Sequence, residues 1–397
     1  MPIRYLLRTL LLLTLAGCVD EYDAFTPLFS TTYIQVEGAL SNLPDGRTLT
    51  LQTLISPSRL NTVTQPITNA RVTIRIDDAA TITVPERRPG RYELPATLFF
   101  QPGHTYQLTA ALPDGRTLTS TPETMPMPVP IRALRSEFTP DRVTPANGIT
   151  PTAGHLIYGD FDDPAGERNY YRFNWKSWER QFHCKRCVNS VLYAPGDTVC
   201  TSQYNQRLGY VRIDPTTRRP IDFYFDYQCG TECWQQLFNP RISVLSDEQV
   251  NGRSIRNALM ADIPLLEPSS FLIECQLESI TRSYYTYLKG LEDQVKLSGG
   301  IADTPPAPIR GNVTVGTGEP TVGYFTVVGV ATQRLFVERQ TVNFQRYPIA
   351  GLLGRKPYVL EPDRPGALPP HPPVPLYPCN PNEEGFRTPV KPAGWPN

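Results

Sequence analysis

Histidine and methionine are scarce in this chain, with four of each among 397 residues. His104, His155, His183 and His371 are spread along the whole length, so no group of imidazoles is set up for metal binding or acid–base chemistry. Catalytic signatures are missing too. There is no Gly-x-Ser-x-Gly elbow, His-Glu-x-x-His helix, phosphate-cradling loop or dinucleotide fingerprint. The nearest approach, Gly316-Thr317-Gly318, runs into Pro320 instead of opening a helix. Paired carboxylates leave no spacing signature, so a surface hydrolase acting on glycan or peptide stands as an alternative reading. Neither sign of charge is in excess, with 38 basic and 38 acidic residues, which argues against nucleic acid as a partner. No cofactor or metal ligand set is expected.

Long apolar runs are also lacking, and the one at the start is too short to cross a bilayer as a permanent helix. It nonetheless has the layout of a secretory signal. Arg4 and Arg8 make the positive region, Leu6-Leu7 and Leu10 to Leu13 the apolar region, and Leu15-Ala16-Gly17-Cys18 the small-residue site ending in cysteine. That pattern is a bacterial lipobox, so Cys18 is expected to become the lipidated first residue of the mature protein. Several acyl chains on one cysteine supply enough CH₂ groups, at about 0.8 kcal/mol each, for stable anchoring. The mature body then carries a net charge of −2. Asp20-Glu21, immediately after, resembles the acidic signal that sends lipoproteins to the outer face of the outer membrane.

Proline, at 42 residues, is about twice its usual share of roughly 5%. With 20 tyrosines it points to short strands and rigid loops. Residues 18–32 read as an acidic tether and 33–121 as an immunoglobulin-like β-sandwich. Tyr33–Glu37, Val72–Ile76 and Tyr106–Ala110 alternate apolar and polar residues. Shorter runs at 48–55, 81–84, 91–94 and 117–120 bring the expectation to about seven strands. The octapeptide Leu-Pro-Asp-Gly-Arg-Thr-Leu-Thr occurs at 43–50 and again at 112–119, each copy a tight turn entering a strand. Four prolines in Thr121–Ile131 mark 122–131 as a linker.

Residues 132–356 read as a larger β-rich domain. Strands are expected at 134–138 or 156–161. Tyr171, Phe173 and Trp175 alternate on another, and Phe271–Glu278 places Phe271, Ile273, Cys275 and Leu277 on one face. Strands follow at 322–330 and 333–342. One amphipathic helix is expected over 281–297, with Tyr284, Leu288, Leu291 and Val295 on a stripe and Tyr284, Tyr285 and Tyr287 more suited to packing than to a ligand. Asp160, Asp162 and Glu167 offer hard oxygens, but not at Ca²⁺-loop spacing, and Asp163-Pro164-Ala165-Gly166 reads as a turn.

Of eight cysteines, Cys18 is assigned to lipid. Cys184, Cys187, Cys200, Cys229 and Cys233 fall in an insertion at about 182–234, with Cys275 and Cys379 outside it. In an exported protein this set reads as disulfides, with zinc or a redox pair as the lesser alternatives, and the odd number leaves at least one thiol over. The last segment, 357–397, holds 13 prolines and cannot build its own core. It still carries Tyr358, Leu376, Tyr377, Phe386 and Trp395. It is therefore expected to be an extended strap docked on this chain or on a partner, with Cys379 pinned to Cys275.

Several short motifs resemble one family. They are Tyr284-Tyr285-Thr286-Tyr287-Leu288-Lys289, then Pro305–Val313, then Val322-Gly323-Tyr324-Phe325-Thr326-Val327. Earlier pieces fit it as well: Val36-Glu37-Gly38, Asn69–Ile74, Gly103-His104-Thr105-Tyr106 and Asn169-Tyr170-Tyr171, with Lys391-Pro392-x-x-Trp395 at the end. The chain is similar in these to the Bacteroidetes lipoproteins called domain of unknown function 4249, whose tail tends to carry a close cysteine pair where this chain has Cys379 alone. The resemblance implies an outer-membrane lipoprotein and a TonB-dependent β-barrel transporter as partner, and it supplies no catalytic residues. The leading expectation is a binding or accessory subunit of such a transporter. A hydrolase and an adhesin or scaffold are the alternatives.

Overall fold

The computed structural model describes residues 31–44, 46–58, 61–95, 98–144, 151–185, 226–265, 270–297, 309–316, 321–339, 376–377 and 386–396. The signal, Cys18, Asp20 and Glu21 lie outside them. The described chain is mostly β, as expected, with several facing sheets.

In chain order the strands of the first part are β1 (Thr31–Ser41), β2 (Thr48–Ser58), β3 (Asn61–Pro66), β4 (Arg71–Ile76), β5 (Ala80–Val84), β6 (Glu86–Arg88), β7 (Arg91–Glu93), β8 (Thr105–Ala111), β9 (Thr117–Ser120) and β10 (Glu123–Thr124). Then come β11 (Ile131–Val143), β12 (Thr152–Asp162), β13 (Tyr170–Lys185), β14 (Asp226–Phe238), β15 (Val244–Ser246), β16 (Ser254–Pro264) and β17 (Phe271–Ile280). The helix α1 (Arg282–Leu297) follows, and last β18 (Val313–Val315), β19 (Thr321–Val337), β20 (Leu376–Tyr377) and β21 (Phe386–Thr388).

One long strand joins the two halves of the molecule. The first half of β19 runs parallel to β1, with Ile34–Ser41 opposite Thr321–Val328. Its second half runs antiparallel to β17, from Gly329 opposite Ser279 to Val337 opposite Phe271. The run expected at 322–330 and the first part of that expected at 333–342 are thus one strand, which ends at Val337 and changes partner without a break. The resulting 12-stranded sheet reads β20-β14-β13-β17-β19-β1-β2-β7-β6 along its main path.

Two smaller sheets cover its ends. The 6-stranded sheet of β4, β5, β8, β9, β10 and β18 closes a sandwich around Val36, Leu49, Val72, Ile74, Leu108 and Phe325. Alternation in β8 puts Tyr106, Leu108 and Ala110 inward, as the period of two requires. The sheet β11-β12-β16 packs over a second core that includes Phe161, Tyr171, Trp175, Ile263, Ile273 and Cys275.

The first sandwich takes strands from far along the chain. β18 pairs with β9, and Val313, Val315, Phe325 and Val327 belong to its core. The proline-rich 122–131 is packed as well as extended. Glu123–Thr124 pairs with β8, and Met125 and Val129 are buried. Gly329 lies so close to this segment that an added Cβ would sit 2.2 Å from the Pro126 carbonyl oxygen, which requires glycine there.

Where β19 lacks a strand neighbour, two asparagine side chains replace one. Asn312 donates from Nδ2 to the Phe325 carbonyl at 2.8 Å and accepts the Phe325 N–H at 2.9 Å. Asn42 does the same for Val330, at 2.9 and 2.7 Å. Each amide satisfies both backbone groups of one residue, so the strand continues without an orphaned pair.

The helix begins where the sequence places it. Thr281 caps it by accepting the Tyr284 N–H at 3.3 Å. Tyr284 and Leu288 are buried against Ile280, Tyr324 and Val330, and Tyr284 and Tyr287 each pack on the Tyr324 ring, so the tyrosine face is packing. Glu123 locks this corner. Its buried carboxylate accepts hydrogen bonds from Thr281 (2.8 Å), Tyr324 (3.1 Å), Ser283 (3.3 Å) and Asn312 (3.3 Å). A buried carboxylate at a helix start, fed by neutral donors, is compensated by those bonds and by the helix dipole.

Candidate interaction site

The expected site residues fall in separate places. Asp160 accepts the Asn257 N–H and faces Arg256, while Asp162 accepts from Ser254 and Arg132. Those hydrogen bonds, first from the Asn257 N–H and from Ser254 respectively, hold both carboxyls below the usual range. Among the described residues no group of three His, Cys, Asp or Glu converges as metal ligands would. His155 accepts or donates a 3.0 Å hydrogen bond with Ser136 through Nδ1. Burial, and then Arg339, lowers its pKa to about 4. A histidine beside a guanidinium cannot be stabilised as imidazolium, so this pair lacks the carboxylate side of a serine–histidine relay. Arg339 instead donates to Glu179 at 2.9 Å, both fully buried, with the guanidinium over the Phe271 ring.

The cysteines divide likewise. Cys184 and Cys229 lie on β13 and β14, but their side chains, with Cys187, Cys200 and Cys379, lie outside the described residues. Cys233 is buried on β14 and disulfide-bonded. Cys275 is a free buried thiol, its pKa pushed up to about 12 by burial and then by Glu274. The expected Cys379–Cys275 bridge is therefore corrected, and the reason is the face. Cys275 points into the core under the β11-β12-β16 sheet, with Trp175 and Ile273. The tail docks on the opposite face.

That opposite face is ordered by strand pairing. Strand register sets it in rows across β13, β17 and β19. Trp178 stands opposite Leu272, which stands opposite Phe336. Two residues on, Lys176, Glu274 and Arg334 form the next row. Glu274 is only 6% exposed and accepts Arg334 Nε at 2.7 Å and Lys176 Nζ at 3.1 Å. Burial would raise the Glu274 carboxyl, but the Arg334, Gln276 and Lys176 contacts together bring it below its usual value. Further along, Arg172 and Asn174 reach Glu278, and Arg172 reaches the Tyr284 hydroxyl of α1. Glu274 and Glu278 sit four residues apart on one strand, about 13 Å between Cα atoms. Each is neutralised by a cation, which is not the arrangement of a glycosidase pair.

The C-terminal strap covers the apolar row. β20 runs parallel to β14 at Gln228–Cys229 and β21 antiparallel to it at Trp234–Gln236. Trp395 then lies edge-on to Phe336 at 5.2 Å and to Trp234 at 6.1 Å between ring centroids. Gly394 has φ +91°, a conformation glycine adopts freely, and Arg334 donates to the Ala393 carbonyl oxygen. A docked tail was thus legible from the aromatic residues left in a proline-rich segment, and of the two expected docking places, this chain or a partner, the described part of the tail takes this chain. The Lys176–Glu274–Arg334 row was not, although Glu274 between the apolar Ile273 and Cys275 of β17 was its available signal.

One imperfection remains in this fit. Trp234 is 1% exposed, and its indole N–H has no acceptor among the described residues.

Facing β-sheets sharing one long central strand define a β-sandwich protein with an aromatic row covered by its own C-terminal strap. A family model described as domain of unknown function (DUF4249) matches residues 19–334. The chain belongs to that family. No curated protein matches it.

Proposed function

We propose that this protein is an outer-membrane lipoprotein, anchored through Cys18, that acts as a binding or accessory subunit of a TonB-dependent transport system. The observation that carries the reading is Leu15-Ala16-Gly17-Cys18 followed by Asp20-Glu21. A fully stretched tether from Cys18 to β1 at Thr31 reaches about 45 Å, which keeps the body close to the membrane and to a barrel in it. Membership of the family supports the same reading, and so does an ordered contact surface of matched charges beside an aromatic row. Disulfides in the 182–234 insertion, with Cys233 as one half-cystine, belong to this reading, because the periplasm and cell surface are oxidising.

Gentle detergent extraction of the tagged full-length protein tests it. The expected result is a β-barrel transporter in stoichiometric amount. Recovery of the lipoprotein alone from membranes, with no barrel under cross-linking, would overturn the accessory role.

A further inference from the structure

We propose that the β14 edge and the Trp178–Leu272–Phe336 row form a docking site for an extended, aromatic-bearing segment of a partner protein, which the chain's own C-terminus holds closed. The inference stands apart from the transport reading, since it concerns what this surface accepts. β14 lies beyond β13 at the margin of the long sheet, and the strap strands are its outer neighbours. Such an edge offers backbone N–H and C=O groups to whatever strand adds to it. The strap shows the chemistry that fits. Three residues pair with Trp234–Gln236, and an indole inserts between Trp234 and Phe336. Main-chain pairing tolerates many sequences, and the aromatic anchor supplies the selectivity.

The strap also fills the site incompletely. Beyond Thr388 it has no strand partner among the described residues, and Val390 is 71% exposed. Trp395 is half-buried, and the Trp234 indole N–H has no acceptor among the described residues. A segment that brings a carbonyl oxygen to that N–H satisfies a group the strap leaves alone. The strap keeps its place through its tether, because an intramolecular ligand acts at an effective concentration of the order of millimolar. A partner segment displaces it by binding more tightly or by being held at the same membrane.

The test uses full-length protein and a fluorescent synthetic peptide of residues 384–397. Trp395→Ala in the chain weakens the strap and leaves the site intact, so the peptide should bind that variant at least about tenfold more tightly than it binds the wild type. A peptide carrying the same substitution should bind neither. Equal binding to both chains, or binding by the substituted peptide, overturns the proposal. A wild-type measurement guards against a misfolded variant. Hydrogen exchange at Trp234–Gln236 should be faster than at the β17 amides, and equal protection would mean that the strap is a permanent strand. Concentration-dependent dimers of the wild type would assign the site to strap exchange between copies and overturn docking of a different partner.

Discussion

Lowering the pH should weaken the fold through His155 in a way that one substitution removes. The imidazole is packed edge-on to Phe138 and Phe271, about 5.5 Å between centroids, and is 4% exposed. Burial and then the Arg339 guanidinium bring its pKa from 6.5 to about 4. The sign follows from which state takes the proton. Between pH 6.5 and 4 the unfolded chain binds a proton at this residue and the folded chain does not, so stability falls as pH falls through that window. A gap of about 2.5 pH units at 1.36 kcal/mol each sets a ceiling of about 3 kcal/mol, a large share of a typical 5–15 kcal/mol. Urea unfolding of wild type and His155→Leu at pH 7 and pH 4.5 isolates this contribution, because all other titrations are common to both chains. The wild type should lose about 2–3 kcal/mol more than the variant on acidification. Parallel losses in the two chains would refute the account of His155 as a neutral core residue.

Other consequences are as specific. Glu179→Ala leaves the Arg339 guanidinium buried without its carboxylate and should cost about 3–5 kcal/mol by urea denaturation, whereas Glu179→Leu combined with Arg339→Met should recover most of it. Glu123→Ala should cost about 3 kcal/mol, since it strands the Thr281, Tyr324 and Asn312 donors at the helix start, and a midpoint unchanged in urea would contradict the joint described there. Cys275 should resist alkylation in native protein and react only after denaturation, as checked by peptide mass mapping. Reductant should lower the melting temperature and chelator should not, with the opposite pattern pointing to zinc in the 182–234 insertion.

Local structure was largely legible in the sequence. Alternation gave β4 and β8 to within a residue, and a 3.6-residue stripe placed over 281–297 the helix that runs from Arg282 to Leu297. The two copies of Leu-Pro-Asp-Gly-Arg-Thr-Leu-Thr do lead into β2 and β9, with positive φ at Gly46 and Gly115. Nonlocal pairing was hidden. Nothing in Ile34–Ser41 announces a parallel partner nearly three hundred residues on, so the sandwich of 33–121 could not be seen to need β18 and β19. β19 was divided in two because its pattern changes along its length: Gly323–Val330 are all buried, whereas Thr332 and Arg334 further on are exposed. The second face of β17 misled as well. Leu272, Glu274 and Glu278 alternate as solvent-facing residues would, yet all are buried. For Leu272 the cover includes Trp395, from the last residues of the chain.

The proposed anchor at Cys18 carries every proposal about where this protein works, and the mass of the mature chain tests it most directly. Purified from membranes, the protein should begin at Cys18 and carry the added mass of a diacylglycerol and a further acyl chain, and Cys18→Ser should leave unprocessed precursor or soluble protein. A mature chain that begins elsewhere, or an unmodified Cys18 in protein that still partitions with membranes, would contradict the account.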